Sequence, residues 1–144
     1  MNKTLSFKQE LEENGFLLYT NKGRSMEPLI KEGRDVLLIR KVDSRLNKYD
    51  IALYKRENGS YVLHRIMKVN DEDYVLCGDN QYKREYGIKD RQILGKLDLI
   101  IRGDRQIKLE GFSYRLYLFF FCDLFYIRCF LLYLRQLFLK VNKK

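Results

Sequence analysis

Ile51-Ala52-Leu53-Tyr54 and Tyr61-Val62-Leu63-His64-Arg65-Ile66-Met67-Lys68-Val69, separated by a segment containing Asn58-Gly59, set the fold class of this chain. Both are short runs rich in aliphatic and aromatic residues and bounded by turn residues, which is the pattern of strands. Asn58-Gly59 between them is a two-residue hairpin signal, because both residue types tolerate positive φ, and it predicts an antiparallel pair. Similar runs lie outward on both sides: Phe16 to Tyr19, Val36 to Arg40, Tyr74 to Cys77 and Ile93 to Ile101. The polar cluster Asn70-Asp71-Glu72-Asp73 joins the fourth run to the fifth. The expectation is a mainly β, antiparallel, meandering domain.

At its start the chain changes character. Ser6 followed three residues later by Gln9 is a capping box, Phe7 and Leu11 share a face at i and i+4, and Gly15 supplies a stop, so a short N-terminal helix is predicted. The residues before it carry no apolar core of the kind found in a secretory signal, and the body of the protein is expected on the cytosolic side.

At 144 residues the chain fits one domain with a real core. Hydrophobic residues make up 46% and charged residues 33%, which separates it from disordered chains. Its formal charge of +9 fits attraction to nucleic acid or to an anionic lipid surface. The distribution favours lipid. From Phe112 onward Arg115, Arg128, Arg135, Lys140, Lys143 and Lys144 stand against one acid, Asp123, and are interleaved with a very apolar segment. That segment predicts a helix over Ser113 to Lys140. No uncharged run within it approaches the ~20 residues of a spanning helix. Placing Asp123 and Arg128 mid-bilayer would cost about 2.5 to 3.5 kcal/mol each. Three dispositions stay open: a helix in the membrane surface or on a partner, a spanning helix, or a helix folded onto its own sheet. The division is therefore a β domain over 1–111 and an apolar, basic helical tail over 112–144.

Three cysteines, Cys77, Cys122 and Cys129, form an odd set without metal-type spacing. On one helix Cys122 and Cys129 would sit roughly 10 Å apart, too far for a disulfide. Reduced thiols are expected. One histidine and three scattered cysteines make no zinc ligand set, so no metal and no cofactor is predicted.

Chemistry concentrates in Gly23-Arg24-Ser25-Met26-Glu27-Pro28-Leu29 and in His64. A serine hydroxyl is a weak nucleophile until a base takes its proton, and His64 is the sole imidazole available. Pro28, the only proline, fixes the backbone just beyond Ser25, and Gly23 permits unusual φ before it. The same residues also fit a turn serine and an unrelated strand histidine.

The surrounding blocks add a resemblance. Gly23-Arg24-Ser25-Met26-Glu27-Pro28-Leu29 resembles the Ser-Met-x-Pro nucleophile box of signal peptidases and their relatives in the S24/S26 serine peptidase group. Lys48-Tyr49-Asp50-Ile51-Ala52-Leu53-Tyr54 is similar to that group's Gly-Asp-Ile-Val strand, with Tyr49 where glycine is usual. His64-Arg65-Ile66 resembles the block that carries the base, with histidine as in the endoplasmic-reticulum and archaeal type. Cys77-Gly78-Asp79-Asn80 resembles the Gly-Asp-Asn box. These blocks keep the family order from Gly23 to about Gly103.

The resemblance implies a signal-peptidase- and LexA-like β domain with Ser25 as nucleophile and His64 as general base. Two carboxylates compete to orient the imidazole: Asp79, which is otherwise a turn carboxylate, and Glu85, which is otherwise a solvated acid. The oxyanion would be held by backbone N–H groups of Ser25 and Met26, because Gly23 stands where bacterial members often carry a hydroxyl. The Met26 side chain is expected to pack beneath the turn. The function implied is that of a membrane-associated serine endopeptidase cleaving extended leader or prosegment peptides through a Ser25/His64 acyl-enzyme. Its partners would be a peptide substrate and, through residues 112–144, an anionic membrane surface. A catalytically silent peptide-binding module of the same fold and a self-cleaving regulator are the alternatives. Barely twenty residues precede Gly23, too few for the DNA-binding module of such regulators, which argues against nucleic acid.

Overall fold

The structure, a computed structural model, describes residues 6–141; Met1 to Leu5, with Lys143 and Lys144 of the basic tail, lie outside them. The chain opens with α1 (Phe7–Asn14), whose capping box forms both ways: Gln9 N–H donates to Ser6 Oγ, and Ser6 N–H donates to the Gln9 side chain. Gly15, at φ +75°, ends the helix in the left-handed conformation that a residue with a Cβ adopts only under strain.

Eight strands follow: β1 (Phe16–Tyr19), β2 (Asp35–Lys41), β3 (Ile51–Lys55), β4 (Tyr61–Val69), β5 (Tyr74–Cys77), β6 (Glu85–Ile88), β7 (Ile93–Arg102) and β8 (Arg105–Lys108). All pair antiparallel in one sheet ordered β1-β2-β7-β3-β4-β5-β6, with β8 on β7. The expected β class holds, but a plain meander does not, because β7 inserts between β2 and β3. The first half of β7 pairs with β3 and its second half with β8, while β2 runs along most of its length. This change of neighbour lets the sheet curl over two cores. Leu17, Met26, Ile30, Leu37, Ile39, Ile51, Leu53, Leu63 and Leu97 form one under α1, and Ala52, Tyr54, Ile66, Tyr74, Leu76 and Ile88 form the other.

The β3–β4 turn differs from the two-residue hairpin expected. Arg56 N–H still donates to Ser60 O at 2.9 Å, so the loop is Glu57-Asn58-Gly59, and only Gly59 takes positive φ. Asn58 instead uses its side-chain oxygen to accept the Ser60 N–H at 3.0 Å.

The tail bends where one helix was expected. It consists of α2 (Phe112–Leu118), a π-helical turn (Phe119–Asp123) and α3 (Phe125–Val141), with a 71° change of direction across Leu124. Among the described residues no single helix is long and apolar enough to cross a membrane, although the bent pair reaches that length and composition together. Its first half folds onto the sheet: Cys122 and Phe125 are buried with Met67 and Cys77, and Tyr49, Leu118, Phe121 and Cys129 close around them. Most of α3 is bare, with Tyr126, Ile127, Phe130, Leu131, Tyr133 and Phe138 each more than half exposed.

Tyr49 anchors this docking. It is the only described non-glycine residue at positive φ, +76°, which costs about 1–2 kcal/mol. Its hydroxyl donates to Asp123 in the tail, and Lys48 Nζ lies 4.5 Å from its ring centroid. A tyrosine at a position suited to glycine thus carries a side chain that holds the π-helical turn.

Candidate functional site

The nucleophile candidate sits on a turn clasped to the core. Met26 is fully buried beneath it and Ile30 beyond it, while Ser25 stays partly exposed. Gly23, at φ +82°, donates its N–H to Glu32 Oε2 at 2.9 Å, and the peptide bond before Pro28 is cis. Ser25 O accepts the Asn80 N–H at 2.8 Å, and Asn80 Nδ2 donates to Arg24 O at 3.0 Å. The N–H groups of Ser25 and Met26 donate to no group among the described residues; Ser25 is partly exposed, whereas Met26 is wholly out of solvent, so only the Ser25 N–H lies on an accessible residue.

Alternation along β4 and beyond β5 sorts the remaining residues by face. His64 pairs across the sheet with Ala52, whose small side chain leaves room for the ring; Arg65 points the opposite way and pairs with Cys77. The ladder ends at that pair, and Asp79, two residues on, returns to the face of Arg65 and binds it. Gly78 is bare for a reason: a Cβ there would lie 2.5 Å from Ser25 O and 3.1 Å from Ser25 Cβ. Ser25 thus occupies the space that a side chain at position 78 would need. No hydrogen bond joins the Ser25 hydroxyl to the ring or to any other described group.

His64 is 2% exposed, and its Nδ1 lies 3.3 Å from Glu85 Oε1 and 3.2 Å from Tyr54 Oη. Glu85 also accepts from Arg56, whose Nε approaches Oε2 at 2.9 Å and whose Nη2 reaches Oε1. Burial alone would raise the Glu85 pKa, but hydrogen bonds from His64, Arg56 and Tyr54 outweigh it and hold the carboxyl well below the usual range. The carboxylate therefore stays ionised beside the imidazole. Burial and the Glu85 charge together push the Tyr54 hydroxyl far above its ordinary value, leaving it a neutral donor.

Asp79 does different work. Arg65 Nε and Nη2 bind its two oxygens at 2.8 and 2.7 Å, and Tyr117 Oη adds a bond to Oδ2 at 2.7 Å. Both side chains of the ion pair are completely buried. Arg65 Nη1 also donates to Tyr49 O and to Tyr114 Oη. Of the two carboxylates read from the sequence, Glu85 contacts His64 and Asp79 serves Arg65 and the tail on the far face.

A cavity of about 550 Å³ opens beside this cluster, lined by Arg56, Asn80, Gln81, Lys83, Glu85 and, from α3, Gln136. β6, which borders it, is one free edge of the sheet. Sequence reasoning passed over Arg56, Tyr54, Gly78 and Asn80. Arg56 meets Glu85 from 29 residues away with no local signal, whereas Gly78 and Asn80 stood inside a recognised box without a role.

The described residues contain no group of three or more His, Cys, Asp or Glu side chains that could hold a metal ion. Compared with protein-family models, curated proteins and solved structures, the chain matches none.

Proposed function

We propose that the protein is a serine endopeptidase in which Ser25 attacks the carbonyl carbon of an extended peptide and His64 Nε2 takes the hydroxyl proton. Glu85 would hold the Nδ1 proton and so fix the tautomer, and the unpaired N–H of Ser25 would receive the oxyanion. Collapse of the tetrahedral adduct passes the proton from His64 to the leaving amine, and water then releases the acyl group by the reverse sequence. The observation that carries this proposal is the contact of His64 Nδ1 with the Glu85 carboxylate, at one end of the Gly78–Glu85 stretch whose other end, bare Gly78, lies against Ser25. An extended substrate fits the free edge of β6 beside the cavity, where strand addition would align it.

The tail's exposed aromatic and aliphatic residues, with Arg115, Arg135 and Lys140 among them, match a helix lying in an anionic lipid surface. Flotation with vesicles containing phosphatidylserine, but not with neutral vesicles, is the expected result for the full chain.

Catalysis by this route requires the Ser25 hydroxyl to come to about 2.6–3.2 Å of Nε2. The missing Ser25–His64 hydrogen bond favours a second reading, a silent peptide-binding module. Incubation with a fluorophosphonate probe and peptide mapping separates the two. An active peptidase carries the phosphonyl group on Ser25, loses labelling in Ser25→Ala and nearly all of it in His64→Ala. An unlabelled parent protein would leave only the silent module.

A further inference from the structure

The segment Gly78–Arg84, which joins β5 to β6, touches every part of the candidate site. Gly78 lies under Ser25, Asn80 binds the carbonyls of Ser25 and Arg24, and the segment runs directly into Glu85. Within itself it has only one backbone bond, Gln81 N–H to Gly78 O at 3.0 Å. Seven residues without regular structure do not hold a nucleophile turn and a carboxylate in register unaided.

Its other side is gripped by the tail. Arg128 of α3 donates from Nη2 to Gln81 O at 3.0 Å and to Cys77 Sγ at 3.8 Å, and from Nη1 to Phe121 O at 2.6 Å. Tyr117 of α2 donates to Asp79 at 2.7 Å. Arg84 and Arg128 both pack on the Phe125 ring, their guanidinium carbons 4.0 and 4.8 Å from its centroid. Arg128 is 5% exposed and pairs with no carboxylate among the described residues. A guanidinium buried against neutral acceptors alone is expensive to desolvate, and a leucine would pack as well. What arginine provides here is a fork that fastens one carbonyl of the segment to one carbonyl of the tail.

We propose that Arg128 and Tyr117 are positioning residues of the Ser25/His64 site, acting from the C-terminal tail through the Gly78–Arg84 segment. The inference rests on the peptidase reading and assigns the tail a part in the chemistry besides any membrane contact. Neither side chain touches Ser25 or His64. Their influence passes through Gln81 and Asp79 to Asn80 and Glu85, so their loss should slow acylation without changing how well a probe binds.

The test uses the full chain with a saturable fluorophosphonate, measuring the maximal labelling rate at Ser25 and the half-saturating concentration across pH 5 to 9. Arg128→Ala is expected to lower the maximal rate about tenfold to a hundredfold, the scale of an ångström-sized displacement, with half-saturation unchanged. Tyr117→Phe removes a single hydroxyl, leaves the Arg65–Asp79 pair intact and should give a smaller loss of the same kind. Arg128→Lys, which reaches only one carbonyl at a time, should recover part of the rate. If Arg128→Ala does not fold, Tyr117→Phe decides alone. Folded variants labelled at the parent's maximal rate and with its pH profile would overturn the proposal while leaving the peptidase intact. A parent that is never labelled removes both.

Discussion

Replacing Asp79 by asparagine removes one charge from a pair in which neither side chain reaches solvent. The Arg65 guanidinium then keeps its position between Tyr49 O and Tyr114 Oη but faces an amide whose NH₂ opposes its own donors. Breaking a fully buried pair from one side costs about 3–5 kcal/mol, because the surviving charge stays desolvated and uncompensated. For a domain of this size that corresponds to a fall of roughly 6–20 °C in Tm. Urea unfolding followed by far-ultraviolet circular dichroism, with calorimetry alongside, measures the loss. The double variant Arg65→Met/Asp79→Leu should regain most of it, since the two apolar groups fill the volume without a stranded charge. A loss below about 1 kcal/mol for Asp79→Asn, or a double variant as unstable as the single one, would refute the assignment of Asp79 as a structural carboxylate.

Other consequences are open to simple measurements. A Gly78→Ala substitution drives a methyl group into Ser25 O and Cβ, so Ser25 labelling should fall at least tenfold and stability by about 1–3 kcal/mol; parental labelling would show that Gly78 does not support the turn. Asp35, whose carboxyl burial would raise but whose bonds from Arg34, Arg102 and the Lys31 N–H hold down, behaves like Glu85. Both groups have folded pKa values below their unfolded ones, so their stabilisation is complete above about pH 5 and drains away as pH falls through the unfolded carboxyl range near 4 and below. Urea midpoints should therefore drop between pH 5 and pH 3, less steeply in Asp35→Asn, and a flat profile would contradict the two clusters. Burial pushes the thiols of Cys77 and Cys122 up to about 11, so iodoacetamide at pH 8 should leave both unmodified until the protein is unfolded.

What the sequence disclosed was local. The Ser6 and Gln9 cap, the Gly15 stop and the runs that became β1, β4 and β5 depend on neighbours within a few positions, and each appears where its residues placed it. β6 and β8 were hidden because Glu-Tyr-Gly-Ile and Arg-Gln-Ile-Lys have no apolar run; their partners make them strands. The insertion of β7 between β2 and β3 is a long-range choice without a local mark. The tail's bend has neither proline nor glycine to announce it. It follows from docking, since Tyr117 must reach Asp79 while Asp123 accepts from Tyr49 and Arg128 donates to the Gln81 carbonyl. Glu85 illustrates the same limit: read alone it was a surface acid, and only Tyr54 of β3 and Arg56 just beyond it turn it toward the imidazole.

The division of β4 between two faces also constrains how this chain can change. His64 and Arg65 are sequence neighbours that serve opposite sides of one sheet, the first meeting Glu85 and the second Asp79. Slipping β4 by one position would turn the imidazole toward the tail and the guanidinium toward Glu85, losing both assemblies together. Insertions and deletions here are consequently tolerable only in the connections outside the ladder, and transplanting the serine bend into another sheet would mean carrying both strands with their phase preserved.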